Sequence, residues 1–169
     1  MMRRMVVCTT ILALNLLVDK FHGLPRDFRP PDLVRIESSL IRAETASQFQ
    51  AMQKEMATQK LFVSPVSGFR PVSEQYYLYT SKRSVAAPPG YSEHQLGTAL
   101  DLNVKFPSRE WTWLDQNAHR FGFVMSYRGT QVTRTGYAFE PLHWRYVGVD
   151  LATKIRLSSA LPQSNYCLF

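Results

Sequence analysis

Cysteine is nearly missing from this chain: two occur in 169 residues, Cys8 and Cys167, at opposite ends. With no C-x-x-C spacing, neither a thiolate metal cluster nor a redox pair can be built from them, and a disulfide-rich scaffold is excluded. A single bridge between the chain ends and two unpaired thiols are both compatible with that placement. Runs of like charge are missing too. Lys and Arg number 20 against 13 Asp and Glu, for a formal charge of +7, which suits an anionic partner such as nucleic acid, a membrane surface or a cell-wall polymer. The basic residues are scattered and no helix-turn-helix, zinc-finger or RNA-binding signature accompanies them, so nucleic acid is not the expected partner.

No repeat, low-complexity block or long linker divides the chain, and one domain is the simplest organisation. At 45% hydrophobic residues it can bury a full core. No apolar run reaches the roughly 20 residues of a membrane-spanning helix. The longest, from Met5 to Val18 behind the basic start MMRR, reads equally as a short signal peptide or anchor and as the first element of the folded domain. The best cleavage position, after Ala13, has Ile11 where a small residue is preferred.

Periodicity supplies the elements. LPRDFRPPDL, residues 24 to 33, is an irregular proline-rich lead-in. From Ser39 to Gln59, Leu40, Ala43, Ala46, Phe49, Met52 and Met56 recur at intervals of three and four, as on one buried helix face. LFVSPVSGF (61–69) reads as a short strand ending at a Ser-Gly turn, and SEQYYLYTSK (73–82) as a helix capped by Ser73. TALDLNV (98–104) alternates, with Leu100, Leu102 and Val104 on one face and Asp101 on the other. WTWLDQNAHRFGF (111–123) predicts a helix stopped at Gly122, FVMSY a strand, YAFEPLHWRYVG (137–148) two short strands or a strand and turn, and DLATKIRLSSAL (150–161) a closing helix. Helices early and late with short strands between them predict an α+β domain around a small, mostly antiparallel sheet flanked by helices.

Two polar clusters stand out against this pattern. YSEHQLGTALD (91–101) carries His94 and Asp101, and Glu140 and His143 lie three apart around Pro141. A straight strand would separate residues three apart, whereas a bend at the proline lets both face one point. Hydrolytic zinc takes three nitrogen or oxygen ligands and keeps a fourth position for water, which His94, Asp101 and His143 can supply while Glu140 handles protons. Singly, each is as well explained as a hydrogen-bonded structural residue. His22 and His119 have no comparable setting, and Trp144 and Tyr146 read as sheet packing.

Ser92, His94, Gly97, Ala99 and Asp101 match S-x-H-x-x-G-x-A-x-D position by position, and Glu140 and His143 match the E-x-x-H that follows. With the lead-in LLVDKFHGLPRDFRPPDLV, the segment SGFRPVSEQ, the joint NAHRFGF and the closing HWRYVG, the chain resembles the zinc D-alanyl-D-alanine carboxypeptidases of the vancomycin-resistance type. Their superfamily also holds lysostaphin-like peptidases and D-alanyl-D-alanine dipeptidases. The resemblance runs from about Leu16 to Gly148, which sets residues 1–15 apart from a peptidase-like domain over 16–169 with zinc in a cleft.

The resemblance implies one zinc per chain on His94, Asp101 and His143, with Glu140 as catalytic base. It implies that Arg70 holds substrate or the oxyanion, that Ser92 makes a substrate hydrogen bond, and that Gln75 forms a pocket wall. The implied partner is a peptidoglycan stem peptide ending in D-Ala-D-Ala, and the implied place is the cell envelope outside the inner membrane, with the apolar N-terminus a candidate membrane attachment. An L,D-carboxypeptidase, a D,D-dipeptidase and a non-catalytic zinc module that binds wall peptides share the residue set. Leu142 stands where the family often has tryptophan, leaving the cleft wall different, and Phe69 where it has tyrosine.

Overall fold

The computed structural model describes residues 14–25, 27–81, 86–129, 132–158 and 162–166. Cys8, Cys167, most of the apolar start, Lys82 and the last three residues assigned to the closing helix lie outside them.

After a lead-in, β1 (Leu33–Ile36) and β2 (Ser39–Arg42) form an antiparallel hairpin in which Leu33 faces Arg42 and Ile36 faces Ser39. Glu37, in the left-handed region at φ 50°, begins the turn between them. The predicted helix therefore starts later than its periodicity suggested: α1 spans Ala43–Thr58. Leu40 belongs to β2, and Ala43 is exposed. Three-residue spacing does not distinguish a strand that runs directly into a helix from the helix's own first turn. Thr45, Ala46, Phe49, Met52 and Met56 make the buried face of α1.

β3 (Pro65–Ser67) follows, then α2 (Val72–Ser81). The carbonyl of Pro71 accepts the first helical bond, from Gln75 N–H at 3.0 Å, so the expected cap Ser73 lies inside the helix. A 3₁₀ turn over Glu93–Leu96 leads through Gly97 into β4 (Ala99–Leu102). α3 (Arg109–Asn117) is capped by Ser108, whose side chain accepts from Trp111 N–H, and passes through a 3₁₀ turn to β5 (Phe123–Met125). The single turn α4 (Val132–Thr135), β6 (His143–Tyr146) and α5 (Val149–Ser158) complete the order. Of the two strands considered between residues 137 and 148, only β6 forms; the residues before it are loop and turn.

The main sheet has the order β3-β4-β6-β5, antiparallel throughout, as the sequence predicted. Alternation gives it two faces. Leu100, Leu102 and Trp144 turn toward α1, joining Phe49, Met52, Met56 and Phe123 in one buried cluster. Each such side chain contributes roughly 1.5–3 kcal/mol on burial. The other face carries Asp101, His143 and Arg145. Leu16 and Val18 of the lead-in are fully buried and pack with Leu24 and Leu96, covering part of this second face. None of the helices among the described residues is long and apolar enough to cross a membrane.

Candidate metal centre

Sheet register brings the first two polar residues together. β4 pairs with β6 so that Asp101 lies opposite His143, and side chains directly opposite in an antiparallel pair point the same way about 5 Å apart. His143 Nδ1 lies 3.2 Å from one carboxylate oxygen of Asp101. His94 arrives from the 3₁₀ turn, its Nε2 3.3 Å from the other oxygen. One ligand atom from each of the three residues falls within a 4.8 Å cluster.

Both imidazoles are oriented from behind. His94 Nδ1 bonds the Gly68 carbonyl at 2.7 Å, which leaves Nε2 with a lone pair toward Asp101. His143 Nε2 bonds a carboxylate oxygen of Glu93 at 2.9 Å, which leaves Nδ1 inward. Glu93 is fully buried, and its other contacts are Arg145 Nη1 at 2.8 Å and the Ser126 hydroxyl at 2.6 Å.

Gly68 is there because backbone passes too near for a side chain. A Cβ at this position would stand 2.5 Å from the Leu40 carbonyl oxygen and 2.9 Å from Ile41 Cγ2. Gly68→Ala is therefore expected to cost about 1–3 kcal/mol, lowering the thermal midpoint by roughly 2–12 °C. Thermal unfolding followed by circular dichroism checks this, and an unchanged midpoint would remove the close approach from the account.

Glu140 enters by a tight turn. The Glu140 carbonyl accepts from His143 N–H at 3.1 Å with Pro141 between them, and Glu140 N–H is anchored to the Tyr127 carbonyl at 3.1 Å. Pro at the second position pre-sets the backbone angle such a turn needs. One Glu140 oxygen consequently stands 4.0 Å from His143 Nδ1, beside the cluster but outside its tight contacts, with the side chain about one-third exposed. Arg70 lines the same cleft. Its guanidinium donates to Gln75 Oε1 at 2.9 Å, to Ser67 Oγ at 3.0 Å and more distantly to Asp101 at 3.5 Å. Gln75 in turn donates to the Ala87 carbonyl at 2.7 Å, so it orients Arg70 as well as walling the cleft. Ser92 is buried at the cleft and does not cap the 3₁₀ turn with its side chain.

Electrostatics separate the carboxylates. Burial pushes the Asp101 and Glu93 carboxyls up, but the neighbouring groups win. His94 and His143 hold Asp101 well below the usual range. Arg145, followed by His143 and Ser126, holds Glu93 down at about 2. Burial lowers His94. Burial also works to lower His143, but its two carboxylate partners raise it to about 10. Glu140 alone among these acids is shifted upward, chiefly by burial and by the charges of Asp101 and Glu93, against the opposing pull of His143. An upward-shifted carboxylate beside a ligand cluster is suited to taking and returning a proton near neutral pH.

All seven residues expected at the site, Arg70, Gln75, Ser92, His94, Asp101, Glu140 and His143, line one cleft of about 120 Å³. Leu142 is not in this lining; it is 40% exposed. His22 pairs instead with Asp19 in the lead-in at 2.8 Å. Sequence reading missed Glu93, Tyr127, Tyr137 and Arg145. Tyr127 and Tyr137 also line the cleft, and the Tyr137 hydroxyl is buried with no hydrogen-bond partner among the described residues. The one sequence signal for Glu93 was its place next to His94, and an isolated acid in a turn more often faces water.

Known proteins resemble most of this chain. Residues 38–149 match the family model described as VanY: D-alanyl-D-alanine carboxypeptidase. YodJ of Bacillus subtilis (strain 168), which bears the name carboxypeptidase provisionally, is 31% identical over 83% of this chain, and the match spans 62% of YodJ's own length. Among solved structures, the zinc(II) complex of a mutant vancomycin-resistance D,D-pentapeptidase VanY from a VanB-type cassette superposes with a TM-score of 0.82 at 26% identity. That match covers 89% of this chain and 97% of that one. The LD-carboxypeptidase LdcB superposes with a TM-score of 0.81 at 27% identity, over 88% and 83% of the two chains.

Proposed function

This chain belongs to the VanY family of D-alanyl-D-alanine carboxypeptidases, and from that premise we propose that it hydrolyses the C-terminal D-alanine from peptidoglycan stem peptides ending in D-Ala-D-Ala, with one zinc ion. The observation that carries the reading is the convergence of His94 Nε2, Asp101 and His143 Nδ1 with Glu140 and Arg70 beside them.

The donor set fits zinc. Two imidazole nitrogens and one carboxylate oxygen are the ligand types of a hydrolytic site, and bonds of about 2.0–2.1 Å in tetrahedral geometry place ligand atoms roughly 3.3 Å apart. One ligand atom from each of His94, Asp101 and His143 already lies within 4.8 Å of the others, a spread that a small inward shift would bring to tetrahedral spacing, and both imidazoles turn a nitrogen inward. Zinc bound there would polarise the scissile carbonyl and lower the pKa of water toward about 7.

The chain's own groups account for the remaining steps. Glu140, outside the ligand set and raised in pKa, accepts a proton from the attacking water and returns it to the departing amine. Arg70, fixed by Gln75 and Ser67, presents a guanidinium to the substrate carboxylate or to the developing oxyanion. The buried hydroxyl of Ser92 lies within the same cleft for a substrate hydrogen bond. A base positioned beside three ligands favours catalysis over a zinc-containing binding module, which has no use for one. Action on wall peptides places the protein outside the inner membrane, and the net positive charge suits an anionic wall.

The structural likeness to both a D,D-pentapeptidase and an LD-carboxypeptidase makes the substrate panel the decisive experiment. Zinc-loaded protein should release D-alanine from a pentapeptide ending in D-Ala-D-Ala, lose that activity to a chelator and regain it with added zinc. Preferential cleavage of a tetrapeptide after its L-residue would reassign it as an L,D-carboxypeptidase, and preferential cleavage of the free D-Ala-D-Ala dipeptide as a D,D-dipeptidase.

A further inference from the structure

We propose that Glu93 is a positioning residue for the metal centre: with Arg145 as its brace, it holds His143 with Nε2 protonated and Nδ1 turned to the ion. The inference rests on the zinc reading above and concerns a residue outside the ligand set.

The argument starts from what an imidazole can do. A neutral ring carries one N–H and one lone pair, and the lone pair must face the metal. His143 presents Nδ1 toward Asp101 at 3.2 Å, so for Nδ1 to ligate an ion beside Asp101 the ring's one proton must sit on Nε2, the nitrogen that faces Glu93. At 2.9 Å from that nitrogen stands the fully buried carboxylate of Glu93, placed to accept its proton in a hydrogen bond. A carboxylate behind a ligating histidine fixes its tautomer and ring orientation and strengthens it as a ligand.

Glu93 is itself held on three sides. The oxygen that receives His143 also receives the Ser126 hydroxyl at 2.6 Å, and the other receives Arg145 Nη1 at 2.8 Å. Arg145 is fully buried on β6, two residues from His143 and therefore on the same sheet face. Its Nη2 donates to the carbonyls of Leu16 at 2.5 Å and Leu14 at 3.3 Å, and its guanidinium lies 4.1 Å from the centre of the Tyr166 ring. Main-chain carbonyls from the lead-in and an aromatic ring near the chain's other end thus clamp the cation that braces Glu93. Buried ions are retained only with such compensation. The lead-in carbonyls of Leu14 and Leu16 are, through Arg145 and Glu93, part of the support of a metal ligand some 130 positions away in sequence.

The first test needs no substitution. Nitrogen-15 imidazole spectra of the zinc-loaded protein should show His143 ligating through Nδ1, with an Nε2 proton protected from solvent exchange. Ligation through Nε2, or a freely exchanging Nε2 proton, overturns the proposal. The second test is Glu93→Gln, whose single carbonyl oxygen cannot serve His143 and Arg145 together. Its zinc dissociation constant, from competition with a chromophoric chelator, should rise by roughly 10–100-fold, and the Nε2–H signal should shift. An unchanged constant in a folded variant refutes the role. If Glu93→Gln leaves Arg145 uncompensated and the chain unfolds, the double substitution Glu93→Gln with Arg145→Gln removes the lone charge and is measured the same way. Zinc bound normally but no D-alanine released from any wall peptide would defeat the functional reading and leave this one standing.

Discussion

Glu140→Gln is expected to lower kcat for D-alanine release by about a thousandfold, within the roughly 10²–10⁴ that a positioned acid-base group contributes, while zinc content stays at one per chain. Glutamine keeps the length and the turn through Pro141, and the carbonyl of residue 140 still accepts from His143 N–H. What disappears is the ability to take a proton. Since the Glu140 carboxylate stands beside the ligands and not among them, metal affinity has no reason to fall. KM should change by much less than kcat, because the lost interaction is made in the transition state. The measurement is steady-state release from a D-Ala-D-Ala pentapeptide alongside elemental analysis of the same sample. A kcat within tenfold of the unsubstituted protein would remove Glu140 from the chemistry, and loss of zinc would move it into the ligand set.

Asp101→Ala should have the largest effect on the metal itself. Asp101 is the hub of the cluster, touching His94 at 3.3 Å, His143 at 3.2 Å and Arg70 at 3.5 Å. Alanine removes the only carboxylate of the three-residue cluster and the one that His94, His143 and Arg70 share. Zinc affinity is expected to fall by well over the roughly 10–100-fold that loss of an outer partner costs, and D-alanine release at stoichiometric zinc should be undetectable. The fold should survive, because Asp101 projects off the polar face of β4 while Leu100 and Leu102 remain in the core. Chelator competition and circular dichroism on one preparation separate the two effects. Retention of wild-type affinity would mean that the ion sits elsewhere.

The two substitutions also divide the site as its geometry does. Glu140 is delivered by a turn and can change with little cost to binding, whereas Asp101 is fixed by sheet register and cannot be replaced by movement of a loop. Glu93→Gln falls between them, with weakened metal binding at an intact ligand set.

Residue chemistry was legible in the sequence wherever it depended on local order. Alternation placed Asp101 opposite in sense to Leu100 and Leu102, the proline in EPLH marked a bend that returns Glu140 and His143 to one point, and spacing at three and four marked most of the α1 face. The kinds of ligand and their number pointed to zinc before any fold was known. The short hairpin strands β1 and β2 lacked the clean alternation that marked β4, so the hairpin was read partly as helix and Leu40 was assigned to the wrong element. Tertiary structure alone decided that Asp101 pairs with His143 rather than with Arg145 two residues on, because register depends on how β4 and β6 meet across some 40 intervening residues. It alone buried Glu93, whose neighbours Ser126, His143 and Arg145 come from β6 and from beyond the end of β5. A sequence displays which side chains are available and what the nearest neighbours allow. Whether an acid is solvated on a turn or desolvated behind a histidine of the site depends on long-range packing, and that packing is what brings five ordinary polar residues and two histidines to one centre.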